Sequence, residues 1–305
     1  MARTSTPTKL TPCIWLDDQA EQAAAFYLRT FATGRITASS RYPESSDNPS
    51  GKPRGSVLTV ELEMAGQPFT LLNGGPLFAL NPSISFFVHV ATVQEADELF
   101  STLGARGKVL MALDAYPWSE RYGWVADRFG VSWQVIAGRR PPGGPTIVPC
   151  LMFAGPQQGH AEQAMQAYTS VFPGGRIESV ERYAAGEGPE SSVKHGRFVL
   201  GDQQMVAMDS HVDHGVTFNE GLSLQVMCRD QDELDRYWAA LGDGGEHGPC
   251  GWLKDRFGLS WQVVPTDIAT WMASQDTAAR DRAFEAMLQM RKLDIAALTR
   301  AFEGE

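Results

Sequence analysis

Four cysteines in 305 residues, Cys13, Cys150, Cys228 and Cys250, include no C-x-x-C pair. Their spacing argues against zinc ribbons and thioredoxin-type redox motifs and leaves them as reduced thiols. Long apolar runs are also missing. None reaches about 18 residues, and the opening MARTSTPTKL lacks the apolar stretch of a secretory signal. Neither export nor membrane spanning is expected, and a cytoplasmic location is. Basic residues are in the minority, 26 Lys and Arg against 36 Asp and Glu, for a formal charge of −10. With no basic cluster to offset it, nucleic acid and membrane surfaces are not expected partners. What is present is ordinary globular material, 43% apolar and long enough for about two domains. Small molecules or other proteins are the partners this composition suits.

The chain repeats itself. GWVADRFGVSWQV, from Gly123 to Val135, returns as GWLKDRFGLSWQV from Gly251 to Val263. PCIWLDDQAEQAAAFY from Pro12 is echoed by PCLMFAGPQQGHAEQAMQAY from Pro149, FATGRI by FPGGRI, and ADELFSTLG by LDRYWAALG. A repeat of about 130 residues is too long for a solenoid unit, so each copy reads as a whole domain. The division is 11–137 for copy one, a Pro- and Gly-rich linker at 138–146, 147–265 for copy two, and a tail at 266–305.

Within copy one, Asp18 with Glu21 three residues later reads as a capping box opening a helix through Ala23, Phe26, Tyr27 and Phe31. A second helix carries Ala96, Leu99, Phe100 and Leu103 on one face and ends at Gly104. The rest is strand: CIWL, RITASSRY, SVLTVELEM, PFTLLN, ISFFVHV, KVLMAL, YGWVA and SWQVIA. Each copy is therefore β-α-β-β-β twice over. After Pro265 the pattern turns helical, with ARDRAFEAMLQM and then IAALTRAF capped by Asp294, an amphipathic tail suited to covering a sheet surface or a subunit contact.

Paired βαβββ units with F-Y ending the first helix and D-x-F-G-x-x-W before the last strand resemble the vicinal-oxygen-chelate superfamily. FTLLNGGP and YGWVADRFGVSWQV in copy one, with VKHGRFVL, AMDSHVDHGVTFNE and CGWLKDRFGLSWQVVP in copy two, resemble its PhnB-like branch. The resemblance implies an α+β fold: two tandem domains, each of paired βαβββ units forming a curled sheet around a cup, packed as an internal pseudo-dimer. It also implies a place to look. Strand alternation puts Trp133 on the outer face and Gln134 in the cup, where metal-dependent relatives carry a ligating Glu; Gln262 is its counterpart. The other ligand places fall near Thr11 and Ser85 in copy one and near Val148 and Ser223 in copy two. No copy assembles the His and carboxylate set of a transition-metal site, so no cofactor is expected and a divalent metal is the minority case.

Asp209 and His211, in DSHVDH with Asp213 and His214, are the candidate acid–base pair, set against a plain polar loop between units. His195, beside Lys194, is a candidate for lining the cup. Trp118 and Tyr122, with Tyr116 and Trp124, offer an aromatic wall for a ligand, and Asn73 a polar group beside it. On this reading copy two carries the chemistry and copy one is an apolar binding or supporting domain. Cys13 and Cys150 read as buried, inert thiols. PhnB-like sequences also bear a ubiquinone-methyltransferase label, but GARGKV at Gly104 follows a helix, not a strand, so the glycine-rich turn of an AdoMet fold is missing. The function expected is binding of a small organic molecule without a required metal. The alternatives are a metal-assisted lyase, isomerase or transferase, and an interaction module with one degenerate domain.

Overall fold

The computed structural model describes residues 9–31, 33–45, 48–138 and 146–305. Most of the expected linker lies outside the described residues. Copy one runs β1 (Leu10–Leu16), α1 (Ala20–Thr30), β2 (Gly34–Arg41), β3 (Val57–Met64) and β4 (Gln67–Asn73). Its second unit is β5 (Ile84–Val90), α2 (Val93–Gly104), β6 (Lys108–Tyr116), β7 (Ser119–Ala126) and β8 (Ser132–Ala137). Copy two repeats the order with β9 (Ile147–Phe153), α3 (Ala161–Val171), β10 (Arg176–Arg182), β11 (Val193–Leu200) and β12 (Gln203–Asp209). Then come β13 (Leu222–Cys228), α4 (Gln231–Gly242), β14 (Glu246–His247), β15 (Trp252–Lys254) and β16 (Ser260–Pro265). The tail adds α5 (Ile268–Met272), α6 (Thr277–Leu288) and α7 (Ile295–Glu303).

The paired βαβββ units form two curled eight-stranded sheets, but each sheet joins units from different copies. One has the order β14-β15-β16-β13-β1-β4-β3-β2, the other β10-β11-β12-β9-β5-β8-β7-β6. The junctions are antiparallel and equivalent: β1 on β13 sets Cys13 opposite Ser223, and β5 on β9 sets Ser85 opposite Cys150. Equivalent junctions are what a twofold-related pair would make. We call the concave face of the first sheet cup A and that of the second cup B. The expectation of one cup per copy is thereby corrected, since each cup takes half its wall from each copy.

What each copy owns is the core between its own two units. In copy one, β5 sends Phe86 to that core and Phe87 to cup B, by ordinary strand alternation. Phe86 packs edge-on to Phe69, 5.2 Å between ring centres, and lies 5.2 Å from Trp133. The repeated D-R-F-G turn closes the core. Asp127 Oδ1 accepts the backbone N–H groups of Phe129 (2.8 Å) and Val131 (3.1 Å), while Oδ2 accepts Tyr27 Oη (2.8 Å) and Trp133 Nε1 (2.9 Å). Asp255 makes the same four bonds with Phe257, Leu259, Tyr168 and Trp261. The turn itself needs positive φ at Gly130 (91°) and Gly258 (83°), where a Cβ is strained. The spelling recurs because one buried carboxylate must meet four donors in each copy.

The capping expectation at Asp18 is not met. The residue before α1 is Gln19, with no side-chain cap, and the Ala20 N–H is taken instead by Asn73 Oδ1 at 2.8 Å. A side chain distant in sequence does the work a local cap would do. The α2 and α4 helices are locally capped, by Thr92 on the Glu95 N–H (3.1 Å) and Asp230 on the Glu233 N–H (2.8 Å). In the tail Asp294 caps α7 through the Ala297 N–H (2.8 Å). Asp281 of α6 accepts the N–H groups of Glu44 (3.1 Å) and Ser45 (3.2 Å), fastening the tail beside cup A. Among the described residues no helix is long and apolar enough to cross a membrane.

Candidate functional site

Cup A encloses a cavity of about 550 Å³. Its floor is a directed chain of neutral groups: Thr70 Oγ1 donates to Gln225 Oε1 (2.8 Å), Gln225 Nε2 to Gln262 Oε1 (3.2 Å), and Gln262 Nε2 to Ser223 Oγ (2.9 Å). Strand register brings these together, with Thr70 and Ser223 opposite Cys13 and Gln225 opposite Gln262. Burial pushes the Cys13 thiol up to about 12, so it stays protonated near neutrality. Beside this floor Glu61, opposite Thr70 on β3, has no hydrogen-bond or ion-pair partner among the described residues. Burial holds its carboxyl above the usual range.

The walls are apolar. Trp15 meets Trp252 at 6.0 Å and Phe78 at 4.9 Å, both edge-on. The tail supplies Ile268 from α5 and Phe284, Met287 and Leu288 from α6 and its end. This makes the tail's role specific: it walls cup A. One polar atom in the wall is orphaned. Ser260 Oγ is buried and without a partner, although its counterpart Ser132 accepts Trp124 Nε1 at 2.7 Å in cup B.

Cup B carries a packed apolar cluster. Phe87 stands where cup A has Gln225, Val206 where it has Thr70, and Arg197, bonded to Glu178 (3.2 Å), where it has Glu61. Tyr122 Oη donates to Gln134 Oε1 (2.6 Å), and Gln134 Nε2 to Ser85 Oγ (2.8 Å). Phe87, Tyr122, Val148, Cys150 and Val206 form one packed cluster. The edge of His195 and Phe87 meet at 6.0 Å, and burial pushes the histidine's pKa down. Trp118, 54% exposed, stacks on Tyr116 at the rim.

The sequence candidates therefore separate. Gln134, Trp118, Tyr122 and His195, drawn from both copies, meet in cup B, and Gln262 alone sits in cup A. Ser85 and Thr11, paired above as one ligand set, lie in different sheets. Asn73 and Asp209 occupy equivalent positions and both tie the start of a helix to its sheet. Asn73 also donates to the Val57 carbonyl (3.0 Å), and Asp209 accepts the N–H groups of Gly159 (2.8 Å), Ala161 (3.1 Å) and Val193 (2.8 Å). With its oxygens so engaged, Asp209 is a structural anchor. His211 lies exposed against Tyr183 (5.2 Å), and His214 bonds Ser210 Oγ (2.8 Å), so the H-x-x-H pair serves two different neighbours. The residues the sequence reading missed are Glu61, Thr70, Gln225, Ser260, Trp15 and Trp252. A polar residue inside an apolar strand, as Glu61 and Gln225 are, was the available signal.

The profile of the 3-demethylubiquinone-9 3-methyltransferase family matches residues 8–136 and again 145–264. The chain belongs to that family. Protein YjdN of Escherichia coli is 27% identical over 147 residues, 44% of this chain and 97% of that protein. The PhnB protein of Bacillus cereus is 33% identical, with 43% of this chain and 100% of that chain covered at a TM-score of 0.39. Glyoxalase I from Zea mays covers 82% of this chain and 89% of its own at a TM-score of 0.53 and 13% identity, a likeness of fold alone. The architecture is thus PhnB-like, in two tandem copies with a glyoxalase-like fold.

The metal that such a fold implies can be tested against cup A. The floor positions carry a protonated thiol, two hydroxyls and two amides that already satisfy one another, and they include no imidazole or carboxylate. Among the described residues no three His, Cys, Asp or Glu are grouped to hold an ion. The donor set does not fit a divalent transition metal.

Proposed function

We propose that the protein binds a small organic molecule in cup A, with no resident metal, and that cup B is a packed supporting domain. One observation carries this: the two cups share a scaffold of Cys, Ser and Gln, yet cup A holds a cavity of about 550 Å³ lined by Gln225, whereas cup B has Phe87 at that place, packed in a cluster with Tyr122. The assignment also moves the working site from copy two to a cup that both copies build. The activity in the family's name finds little support in the fold, since the sheets are mixed and no parallel βαβ sheet with a glycine-rich turn is present among the described residues. An acidic chain with this cavity suits a cytoplasmic binding protein for a small molecule.

The test is to purify the protein without denaturation and identify what it carries by mass spectrometry. A single small compound should accompany the parent, vanish in Gln225→Phe, which places in cup A the residue cup B already holds there, and persist in Phe87→Ala. Retention in Gln225→Phe with loss in Phe87→Ala would put the ligand in cup B.

A further inference from the structure

We infer that the ligand of cup A is a protonated organic amine, its ammonium group held by Glu61 and its body lying against Trp15 and Trp252. This rests on cup A being the binding site and adds the chemical class. The charged residues lining the cavity are Glu61, Glu220, Glu246 and Lys254, with His247 beside them. Lys254 is the one Lys or Arg among the lining residues, and it is committed to Glu220 at 2.8 Å. Glu61 therefore faces the cavity with its charge uncompensated, a costly arrangement that a cation from outside relieves.

The neutral groups agree with the charge. Along the floor each side chain spends a hydrogen on the next, from Thr70 to Gln225 to Gln262 to Ser223. At the Glu61 end, Thr70 has given its hydrogen away and offers lone pairs only. Ser260 Oγ, buried in the same wall without a partner, is free to accept as well as to donate. Acceptors beside a free carboxylate suit a head group rich in N–H donors. An anionic ligand would meet Glu61 as a like charge.

The aromatic wall completes the match. Trp15 spends its Nε1–H on the Gly75 carbonyl (2.7 Å), so its ring is what it offers to the cavity. Trp252 lies against it instead of repeating the Trp124–Ser132 bond, and that departure from the cup B arrangement leaves Ser260 open. Indole rings attract organic cations and stack on flat bodies. Cup B lacks the free carboxylate: its counterpart of Glu61 is Arg197, already paired with Glu178.

Calorimetric titration of the full-length protein tests the inference with matched probes: tryptamine against tryptophol, phenethylamine against 2-phenylethanol, and indole-3-propionate as the anion. Each amine should bind about tenfold or more tightly than its alcohol. Glu61→Gln should erase that preference, Glu61→Asp should keep part of it, and circular dichroism should show both variants folded. Equal binding of amine and alcohol, a preference that survives Glu61→Gln, or no binding by either amine overturns the amine assignment. If the amines show no such preference while the alcohols bind the parent and are lost in Gln225→Phe, cup A stands as the site with the wrong ligand class. Binding of any probe that Gln225→Phe does not touch would overturn both readings.

Discussion

Tyr27 donates its phenolic hydrogen to Asp127 across 2.8 Å, joining the two βαβββ units of copy one, and Tyr168 does the same to Asp255 across 2.7 Å in copy two. These bonds hold each copy's units back to back, while the sheets hold one copy to the other.

Removing the carboxylate strands four donors, two of them backbone, in a buried site. Asp127→Ala should therefore cost about 3–5 kcal/mol of unfolding free energy, and Tyr27→Phe about 1.5–3 kcal/mol, the range for a bond to a charged group. Urea denaturation measures both. A loss under about 1 kcal/mol for Asp127→Ala would show that the turn does not depend on it.

Asp209 and His211 should behave as structure and surface. Asp209→Ala leaves three backbone N–H groups near the start of α3 and on β11 without their acceptor and should cost about 3 kcal/mol or more. His211→Ala should stay within about 0.5 kcal/mol. Thermal melts of the two variants decide it; an unchanged Asp209→Ala melt with lost ligand binding would restore the acid–base role.

The thiols should be slow to react. Burial pushes Cys13, Cys150 and Cys228 up to about 12 and Cys250 to about 11, so little thiolate exists near neutrality. A disulfide-exchange reagent should label none of the four rapidly in the native protein and all four after denaturation. Fast native labelling of Cys13 would reopen a nucleophilic role for it.

Glu61 gives a pH signature. Its carboxyl is raised by burial in the folded state, so its contribution to stability is complete below the ordinary carboxylate value and is lost as pH rises through the raised one. Glu61→Gln removes that loss. The variant should therefore gain on the parent as pH rises above the ordinary carboxylate value, read by paired urea melts across that rise in the absence of ligand. A constant difference across that range would mean that Glu61 is solvated or partnered.

Much of the fold was legible because each element had a local cause. Strand alternation, the amphipathic faces of α2 and α4, and the Asp294 cap on α7 all follow from neighbours in sequence. The choice of which unit pairs with which does not. Cys13 faces Ser223 and Cys150 faces Ser85 through register between copies, and nothing near any of the four residues says so. That choice decided the candidate site. Assigning residues to copies put His195 and Tyr122 in different cups, whereas the sheets bring them into one, and it hid the contrast between Gln225 and Phe87 at equivalent positions. Asn73 and Asp209 misled for a related reason: a polar residue ending an apolar strand reads as a site until the helix it anchors is seen.

The most direct measurement is a crystal structure of the full-length protein soaked with the compound that accompanies it on purification. Difference density is expected in cup A, between Glu61 and the Trp15–Trp252 pair, with the Gln225, Gln262 and Ser223 chain intact beneath it, and Phe87 and Tyr122 unmoved in cup B. Density beside Tyr122 and His195, with cup A unchanged, would contradict it.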